Sequence, residues 1–221
     1  MITSTFTIVA TDGAEWGVAV ASRVLAVGAI VPAADASWGV VATQAAVNVG
    51  WKRAGMSLLK QGKPAQETVD LLVAEDPSPD VRQLIVLDRA GRAAAHSGER
   101  CQQWAGQIVG EGFAVAGNLL SGADVIESMA SAYRSSSGPL VQRLLLSLES
   151  GDAAGGDRRG RQSAAVQVVR LAGGIDGLDD RVCDLRVDDH PDPVRELRRL
   201  AGIQFGDAGE TPSSAPRPAA D

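Results

Sequence analysis

The fold is decided by the first strand, which reads Thr3-Ser4-Thr5-Phe6-Thr7-Ile8-Val9-Ala10. Hydroxyl side chains come first and an apolar run follows. Threonine is a good strand former, so this segment alone favours a structural role for them. A Thr or Ser at a free N-terminus can also act as a complete catalytic unit. Its hydroxyl attacks while the α-amine, with an ordinary pKa of about 7.7 to 8.0, is available as the base.

The strands that follow form hairpins and are apolar on both faces. Residues 6–10 and 16–21 are joined by a turn-forming link at 11–15, which predicts a hairpin. The strand at 16–21 is apolar at successive positions, and a third strand at 38–42 repeats this pattern. Such strands are covered on both sides. Each ends in polar residues, Ser22-Arg23 in one case and Thr43-Gln44 in the other.

The remaining elements alternate between helix pairs and strands. The helical period predicts two helices after Gly50, then a hairpin at 82–88 and 92–97, with His96 as a hydrogen-bonded sheet residue. A strand follows at 112–118. Ser121 and Asp124 predict a capping-box start for the next helix, and its partner helix begins near Pro139 and ends at Gly151. The chain continues with strands at 164–169 and 182–187, the latter at a sheet edge, and a last helix from Pro193 to Gly202.

Paired helices and doubly covered antiparallel strands predict an α+β fold, a four-layer αββα sandwich of two antiparallel sheets. The alternative is an α+β domain with one sheet, which would leave the second apolar face of strands 16–21 and 38–42 in water. We expect a single domain over residues 1–205. Residues 206–221 have no apolar period and predict a disordered tail.

Composition excludes several functional classes. The chain has 221 residues, a formal charge of −6 and a pI near 5.0, which argues against a nucleic-acid or anionic-membrane surface. No signal segment or membrane span is indicated, so a cytoplasmic location is expected. Cys101 and Cys183 are far apart and predict two buried free thiols. With His96 and His190 also isolated, we expect neither a metal site nor a cofactor.

The least ordinary stretch is the glycine- and arginine-rich segment at 152–163. A solvated turn explains it structurally. Its glycines also permit close approach of the backbone to a ligand. Asp157, Arg158 and Arg161 place opposite charges side by side, which favours binding of a substrate carboxylate or of a catalytic terminus.

Several segments together resemble a bacterial family of uncharacterised proteins that is placed in the Ntn-hydrolase (N-terminal nucleophile) superfamily. The resemblance runs from about Thr5 through the last helix, and the glycine- and arginine-rich stretch is its most specific part. The segments that carry it are Thr5–Ala10, Gly17–Arg23, Leu25–Ala29, Val41–Ala45, Gly117–Leu120, Gly155–Ala164 and Asp189–Pro193.

The resemblance implies the αββα sandwich and hydrolysis of amide bonds, with Thr5 at the position of the nucleophile. Met1 to Ser4 precede Thr5, and Ile2 is too large for ordinary removal of the initiator Met. Three alternatives remain open: the chain cleaves itself before Thr5, the true start lies downstream, or this member has no free nucleophile.

The mechanistic hypothesis assigns roles to the polar strand ends. Thr5 attacks a small amide or N-acyl substrate, and its amine moves the proton. Asn118 or a backbone amide near Thr43 donates to the developing oxyanion. Arg23 lowers the pKa of the amine or binds a substrate carboxylate.

The other predicted contacts hold the substrate or support the strand ends. Asp157, Arg158 and Arg161 are predicted to hold the terminus or the substrate, and Gln44 joins them as a candidate contact whose structural interpretation is at least as strong. The alternative function is a non-catalytic protein that binds a small amide or peptide fragment in the same cleft. The apolar content also permits a homodimer.

Overall fold

The computed structural model of the protein describes residues 2–3 and 5–206. Over these residues it is a mixed α+β structure with two antiparallel sheets and six α-helices. The strands are β1 (Ile2–Thr3), β2 (Thr5–Thr11), β3 (Trp16–Ser22), β4 (Pro32–Asp35), β5 (Gly39–Ala46), β6 (Arg82–Asp88), β7 (Ala93–Ser97), β8 (Gly106–Gly110), β9 (Phe113–Asn118), β10 (Ser163–Val169) and β11 (Arg181–Val187). The helices are α1 (Val27–Ile30), α2 (Gly50–Lys60), α3 (Ala65–Glu75), α4 (Asp124–Ser135), α5 (Leu140–Ala153) and α6 (Pro193–Phe205).

The two sheets have different widths. The first contains β5, β6 and β7 in that order, and both β1 and β4 pair with β5. The second has the order β11-β10-β3-β2-β9-β8, so the predicted edge position of β11 is confirmed. The predicted hairpins correspond to β2–β3 and β6–β7, which pair in register along their lengths.

Three apolar clusters hold these elements together. One contains Val9 and Val18 of the second sheet together with Ala42 and Ile85 of the first. Another joins the opposite face of the second sheet to α4, α5 and α6 through residues such as Phe6, Met129, Leu144 and Leu197. The third joins the first sheet to α2 and α3 through Val41, Trp51, Leu72 and Leu84. The doubly covered strands are explained by these clusters, because alternate side chains of one strand enter different cores.

The predicted first strand is divided between the two sheets. Thr3 pairs with Ala45 of β5, whereas Thr5 begins β2 in the other sheet. The chain therefore crosses between the sheets immediately before Thr5. Periodicity does not reveal this crossing, since the hydroxyl residues on both sides of it fit a strand equally well.

Other differences concern helix caps and short elements. The capping box expected at Ser121 and Asp124 is wrong, because α4 starts after Ala123 without a side-chain cap. The Ser121 hydroxyl instead donates to the carbonyl of Ala154 at 3.3 Å. The sequence patterns also do not predict β1, β4, β8 or α1.

Two smaller predictions agree with the structure. Cys101 and Cys183 are free and buried, and His96 on β7 is hydrogen-bonded through Nε2 to the carbonyl of Pro79 at 2.9 Å. In the described part of the chain, no helix has the length and apolar character needed to cross a membrane. The predicted tail lies outside the described residues from 207 onward.

Candidate active site at the polar end of the two sheets

Thr5 lies between two strands at one end of the second sheet. It is the first residue of β2 and pairs with Ser22 at the end of β3 and with Asn118 at the end of β9. All three residues are buried, and Thr5 has no measurable exposure. The structure therefore brings together two of the polar strand ends that the sequence marked as candidates.

A buried hydrogen-bond network runs from β2 across to the first sheet. The Thr7 hydroxyl donates to Gln44 Oε1 at 2.6 Å, and Gln44 Nε2 donates to Gln83 Oε1 at 2.6 Å. Asn118 Nδ2 donates to the same Gln83 oxygen at 3.2 Å. Thr7 and Val9 lie on the same face of β2, two residues apart. The space between the sheets is therefore polar at the Thr5 end and becomes apolar from Val9 onward.

Gln83 is the centre of this network. Its Nε2 donates to Ser97 Oγ at 2.8 Å and lies 2.8 Å from the carbonyl oxygen of Gly117 and 3.1 Å from that of Gly106. One amide group thereby links the first sheet to β9, next to Asn118. Such a network fixes the rotamers of the side chains within it.

Sequence reasoning missed Thr7, Gln83 and Ser97. A signal existed for Gln83, because it is a polar residue on the same face of β6 as the buried Ile85 and Leu87. In the antiparallel register Gln83 is paired with Gln44. Recognising this needs the strand order, which the pattern of a single strand does not give.

The side chain of Thr43 faces away from this site, and the role of a backbone amide near Thr43 as an oxyanion donor stays a prediction. Its backbone N–H donates to the carbonyl of Val31 at 3.2 Å. Its side chain lies on the opposite face of β5 from Ala42 and Gln44, on the side where Val41 meets the helices. The buried Thr43 hydroxyl has no hydrogen-bond partner within the described residues. Gln44, by contrast, faces the site.

Asp157 links the ends of two strands through hydrogen bonds. It is 5% exposed, and its Oδ2 accepts the backbone N–H of Arg23 at 3.0 Å and Nη2 of Arg159 at 2.9 Å. Its Oδ1 accepts the backbone N–H of Arg159 at 2.9 Å. Leu120 forms a β-bridge with Asp157. Asp157 therefore connects the segment after β9, through its backbone bridge, to the end of β3, through its carboxylate, and both carboxylate oxygens are used within the protein.

The arginines of the loop divide into two kinds. Arg161 donates Nε to Asp152 at 2.7 Å, a contact that raises the pKa of the guanidinium. The carbonyl of Arg161 accepts Nη1 of Arg23 at 2.9 Å. Arg158 is held by its backbone N–H, which donates to Leu119 O at 3.2 Å, while its side chain is exposed. Arg23 and Arg158 are thus exposed beside the strand ends that flank Thr5, and Arg161 supports the loop.

Backbone strain occurs beside two of the site residues. Ala45 follows Gln44 with φ of 65°, and Leu119 follows Asn118 with φ of 52°. Non-glycine residues in this left-handed region cost about 1–2 kcal/mol each. Strain of this kind collects at functional sites, where the surrounding structure imposes it.

Two residues before Thr5 belong to the first sheet. Ile2 pairs with Ala46 and Thr3 pairs with Ala45, both on β5. The α-amino nitrogen of Thr5 belongs to the peptide bond with Ser4 in this sequence. In the described part of the chain, no group of three or more His, Cys, Asp or Glu side chains could hold a metal ion.

Fold and site together define a mixed α+β protein with a buried, threonine-containing polar site between the ends of two antiparallel sheets. A family model described as a family of unknown function, DUF1028, matches residues 5–197. The chain belongs to this family.

One solved structure carries the same family label. Protein SPO2555 from Silicibacter pomeroyi, whose crystal structure carries the DUF1028 label, is 29% identical, with a TM-score of 0.82 over 90% of this chain and 88% of that chain. Anbu (ancestral beta-subunit) from Yersinia bercovieri is 14% identical, with a TM-score of 0.41 over 90% of this chain and 94% of that chain. A search of curated proteins gives no match.

Proposed function

We propose that this protein is an amide hydrolase of the Ntn type, acting in the cytoplasm on a small amide or N-acyl substrate. The proposal includes the αββα order of layers that the resemblance implies, for which the three apolar clusters are the support. Thr5 is the nucleophile, and its own α-amine, once free, is the base.

The position of Thr5 is the observation that carries this proposal. It lies at the polar end between the sheets, with Asn118 paired beside it and Gln83 holding the Asn118 amide. In the reaction, Thr5 Oγ1 attacks the substrate carbonyl and its proton passes to the α-amine. The α-amine returns this proton to the leaving amine as the substrate C–N bond breaks, and water then hydrolyses the acyl-Thr5 ester. The Asn118 amide donates to the oxygen that becomes negative, and such a donor is worth about 2.7–4 kcal/mol of barrier. Gln83 positions that amide.

One bond must be broken before this chemistry can operate. The Ser4–Thr5 peptide bond has to be hydrolysed, which consumes one water and releases the residues before Thr5 with a new carboxylate. The Thr5 hydroxyl can attack the carbonyl of Ser4, with transfer of the acyl group from nitrogen to oxygen. This transfer frees the Thr5 amine. Hydrolysis of the resulting ester by water then frees the Thr5 hydroxyl and releases the preceding residues with a carboxylate.

A second candidate function is a binding protein without turnover. The pairing of Ile2 and Thr3 with β5 favours it, because these two residues form part of the first sheet. In that case the intact chain binds a small amide or peptide fragment in the same cleft, and no bond is broken.

Mass spectrometry and N-terminal sequencing of the purified protein test the proposal. We expect a chain that begins at Thr5 and hydrolyses at least one compound from a panel of small N-acyl amides. Thr5→Ala should stay unprocessed and lose activity by at least about 10³-fold, whereas Thr5→Ser, which keeps the hydroxyl, should retain part of it.

The controls separate the two candidate functions. Thr11→Ala changes a threonine at the other end of β2 and should leave processing and activity intact. An intact N-terminus together with amidase activity that survives Thr5→Ala contradicts the nucleophile assignment. An intact N-terminus with saturable binding and no turnover supports the binding protein.

A further inference from the structure

Three cationic side chains, Arg23, Lys52 and Arg158, follow elements that end or begin at the Thr5 end of the two sheets, and we call them the cationic rim. Within residues 2–3 and 5–206, none of the three forms an ion pair with a carboxylate. The chain as a whole has a charge of −6. The rim therefore carries a local excess of positive charge, although the chain as a whole is negatively charged.

Two members of the rim lie on either side of Thr5 in the second sheet. Arg23 directly follows Ser22, and Ser22 pairs with Thr5 from β3. Arg158 is bonded through its backbone to Leu119, which directly follows Asn118, the partner of Thr5 from β9. Both arginine side chains are exposed.

Lys52 is the member of the rim that lies nearest the first sheet. It lies in the first turn of α2, which follows the part of β5 that pairs with Ile2 and Thr3. Its Nζ donates to the carbonyl of Ala29 in α1 at 3.2 Å. Lys52 is half-buried, and burial lowers its pKa. Partial burial removes hydration from the Lys52 ammonium group, and one neutral hydrogen-bond partner replaces only part of that lost hydration energy.

Three carboxylates around the rim are already paired with arginines. Asp157 pairs with Arg159 at 2.9 Å, Asp152 with Arg161 at 2.7 Å, and Asp76 with Arg82 at 2.6 Å. Asp189 lies near the start of β10, where it accepts Gln162 Nε2 at 3.2 Å. Asp192 is close enough to Arg161 to contribute to its raised pKa, and neither Asp189 nor Asp192 forms an ion pair within the described residues. Three rim cations therefore face two unpaired acids.

Exposed apolar side chains accompany these charges. Leu25, two residues after Arg23, is 61% exposed, and Val49, just before α2, is 57% exposed. The backbone of Val49 accepts the N–H of Lys52 at 3.3 Å, so Val49 adjoins the rim. A ligand that is complementary to both the cationic rim and these apolar side chains has an anionic group and an apolar part.

We propose that the substrate of this site is an N-acylated amino acid, an amide with an apolar acyl group and a free carboxylate. The cationic rim binds the carboxylate, and Leu25 and Val49 contact the acyl chain. The amide between them is thereby directed to Thr5. This inference rests on the proposed function for its reaction, but its binding part can be measured without turnover.

Isothermal titration of the full chain, as purified, tests the inference with two probes that differ in one group. N-octanoylglycine has a carboxylate, and N-octanoylglycinamide has a neutral amide in its place. We expect the acid to bind about tenfold more tightly at low salt, since charge-assisted contacts add affinity of this order. This preference should decrease in 0.5 M salt.

Variants assign the preference to the rim. Arg158→Gln and Lys52→Gln should each reduce the preference for the acid several-fold. Lys60→Gln removes one charge from the far end of the same helix α2 and should leave it unchanged. Equal binding of the two probes, no binding of either, or an unchanged preference in both rim variants overturns the inference. Tight binding of the acid without hydrolysis contradicts the proposed function and leaves the substrate class standing.

Discussion

Replacing Gln83 by leucine removes the centre of the polar network without changing side-chain size greatly. Gln83 accepts hydrogen bonds from Gln44 and Asn118 through one oxygen. Its amide nitrogen donates to Ser97 and lies within hydrogen-bond distance of Gly117 O. Gln83→Leu leaves the two buried donors without this acceptor.

The expected cost follows from those two donors. A buried donor left without a partner costs about 1–3 kcal/mol, so two cost about 2–6 kcal/mol. Apolar contacts of the leucine side chain with its neighbours offset part of this loss of unfolding free energy. We therefore expect a net loss of about 2–5 kcal/mol from a total stability that is typically about 5–15 kcal/mol.

Urea unfolding measures this loss, with Gln107→Leu as the control. Gln107 is an exposed glutamine on β8 that bonds to Ser97 and Ala95 at the surface, and its replacement should cost less than about 0.5 kcal/mol. Thr7→Val removes the other end of the network. Its effect should be non-additive with that of Gln83→Leu, since both act through Gln44. Additive effects, or equal costs for Gln83→Leu and Gln107→Leu, refute the network.

Three further predictions concern other parts of the protein. For Asp76, burial opposes ionisation, but hydrogen bonds from Arg82, Ser78 and Asn48 outweigh it and lower the carboxyl pKa. Because the folded pKa lies below the unfolded one, this stability is present at neutral pH and lost as pH falls through the folded pKa. Asp76→Asn should therefore lower the free energy of unfolding, measured in urea, by about 1–3 kcal/mol at pH 7 and by much less near pH 3. Burial raises the pKa of the Cys183 thiol to about 12. A maleimide reagent at pH 8 should consequently leave Cys183 unlabelled in the native protein and label it after unfolding, and rapid native labelling contradicts this. Gly39→Ala should cost about 3 kcal/mol or more, because φ is 121° and a methyl group would collide with the carbonyl oxygen of Leu87. Gly62→Ala, with φ of 83° and no atom within 4 Å of the added methyl, should cost about 1 kcal/mol, and equal melting temperatures for the two variants would show that the collision is relieved.

The main elements could be predicted from sequence because their signals are local. The β2–β3 and β6–β7 hairpins have turn residues between apolar runs, and the helix pairs have a clear apolar stripe. The elements β1, β4, β8 and α1 are each five residues or shorter, and their residues carry no clear strand or helix pattern. The partners of β1 and α1 are also distant in sequence, since Ile2 pairs with Ala46 and Val27 N–H donates to Ser163. By contrast, β4 pairs with the next strand, but Pro32 to Asp35 include a proline and an aspartate, which are poor strand formers.

The candidate site was only partly predictable for the same reason. Thr5 and Asn118 were marked as polar strand ends, and the sheet order places them side by side. The contacts of Gln83 span 39 residues to Gln44 and 35 to Asn118, and no local pattern encodes such pairings. Asp157 was recognised as unusual, but its role as a link between strand ends appears only when both of its oxygens are accounted for.

The two proposed functions, hydrolase and binding protein, require different degrees of preorganisation in the site. A binding cleft needs complementary groups but has no need of a donor fixed beside one particular hydroxyl. Here the Asn118 amide is held by Gln83, and Asn118 is paired with Thr5. Ala45 follows Gln44 and Leu119 follows Asn118, and both have a left-handed backbone conformation that glycine would adopt without strain. Retained strain and a fixed donor next to Thr5 are properties of a preorganised reaction site, which is why we favour the hydrolase.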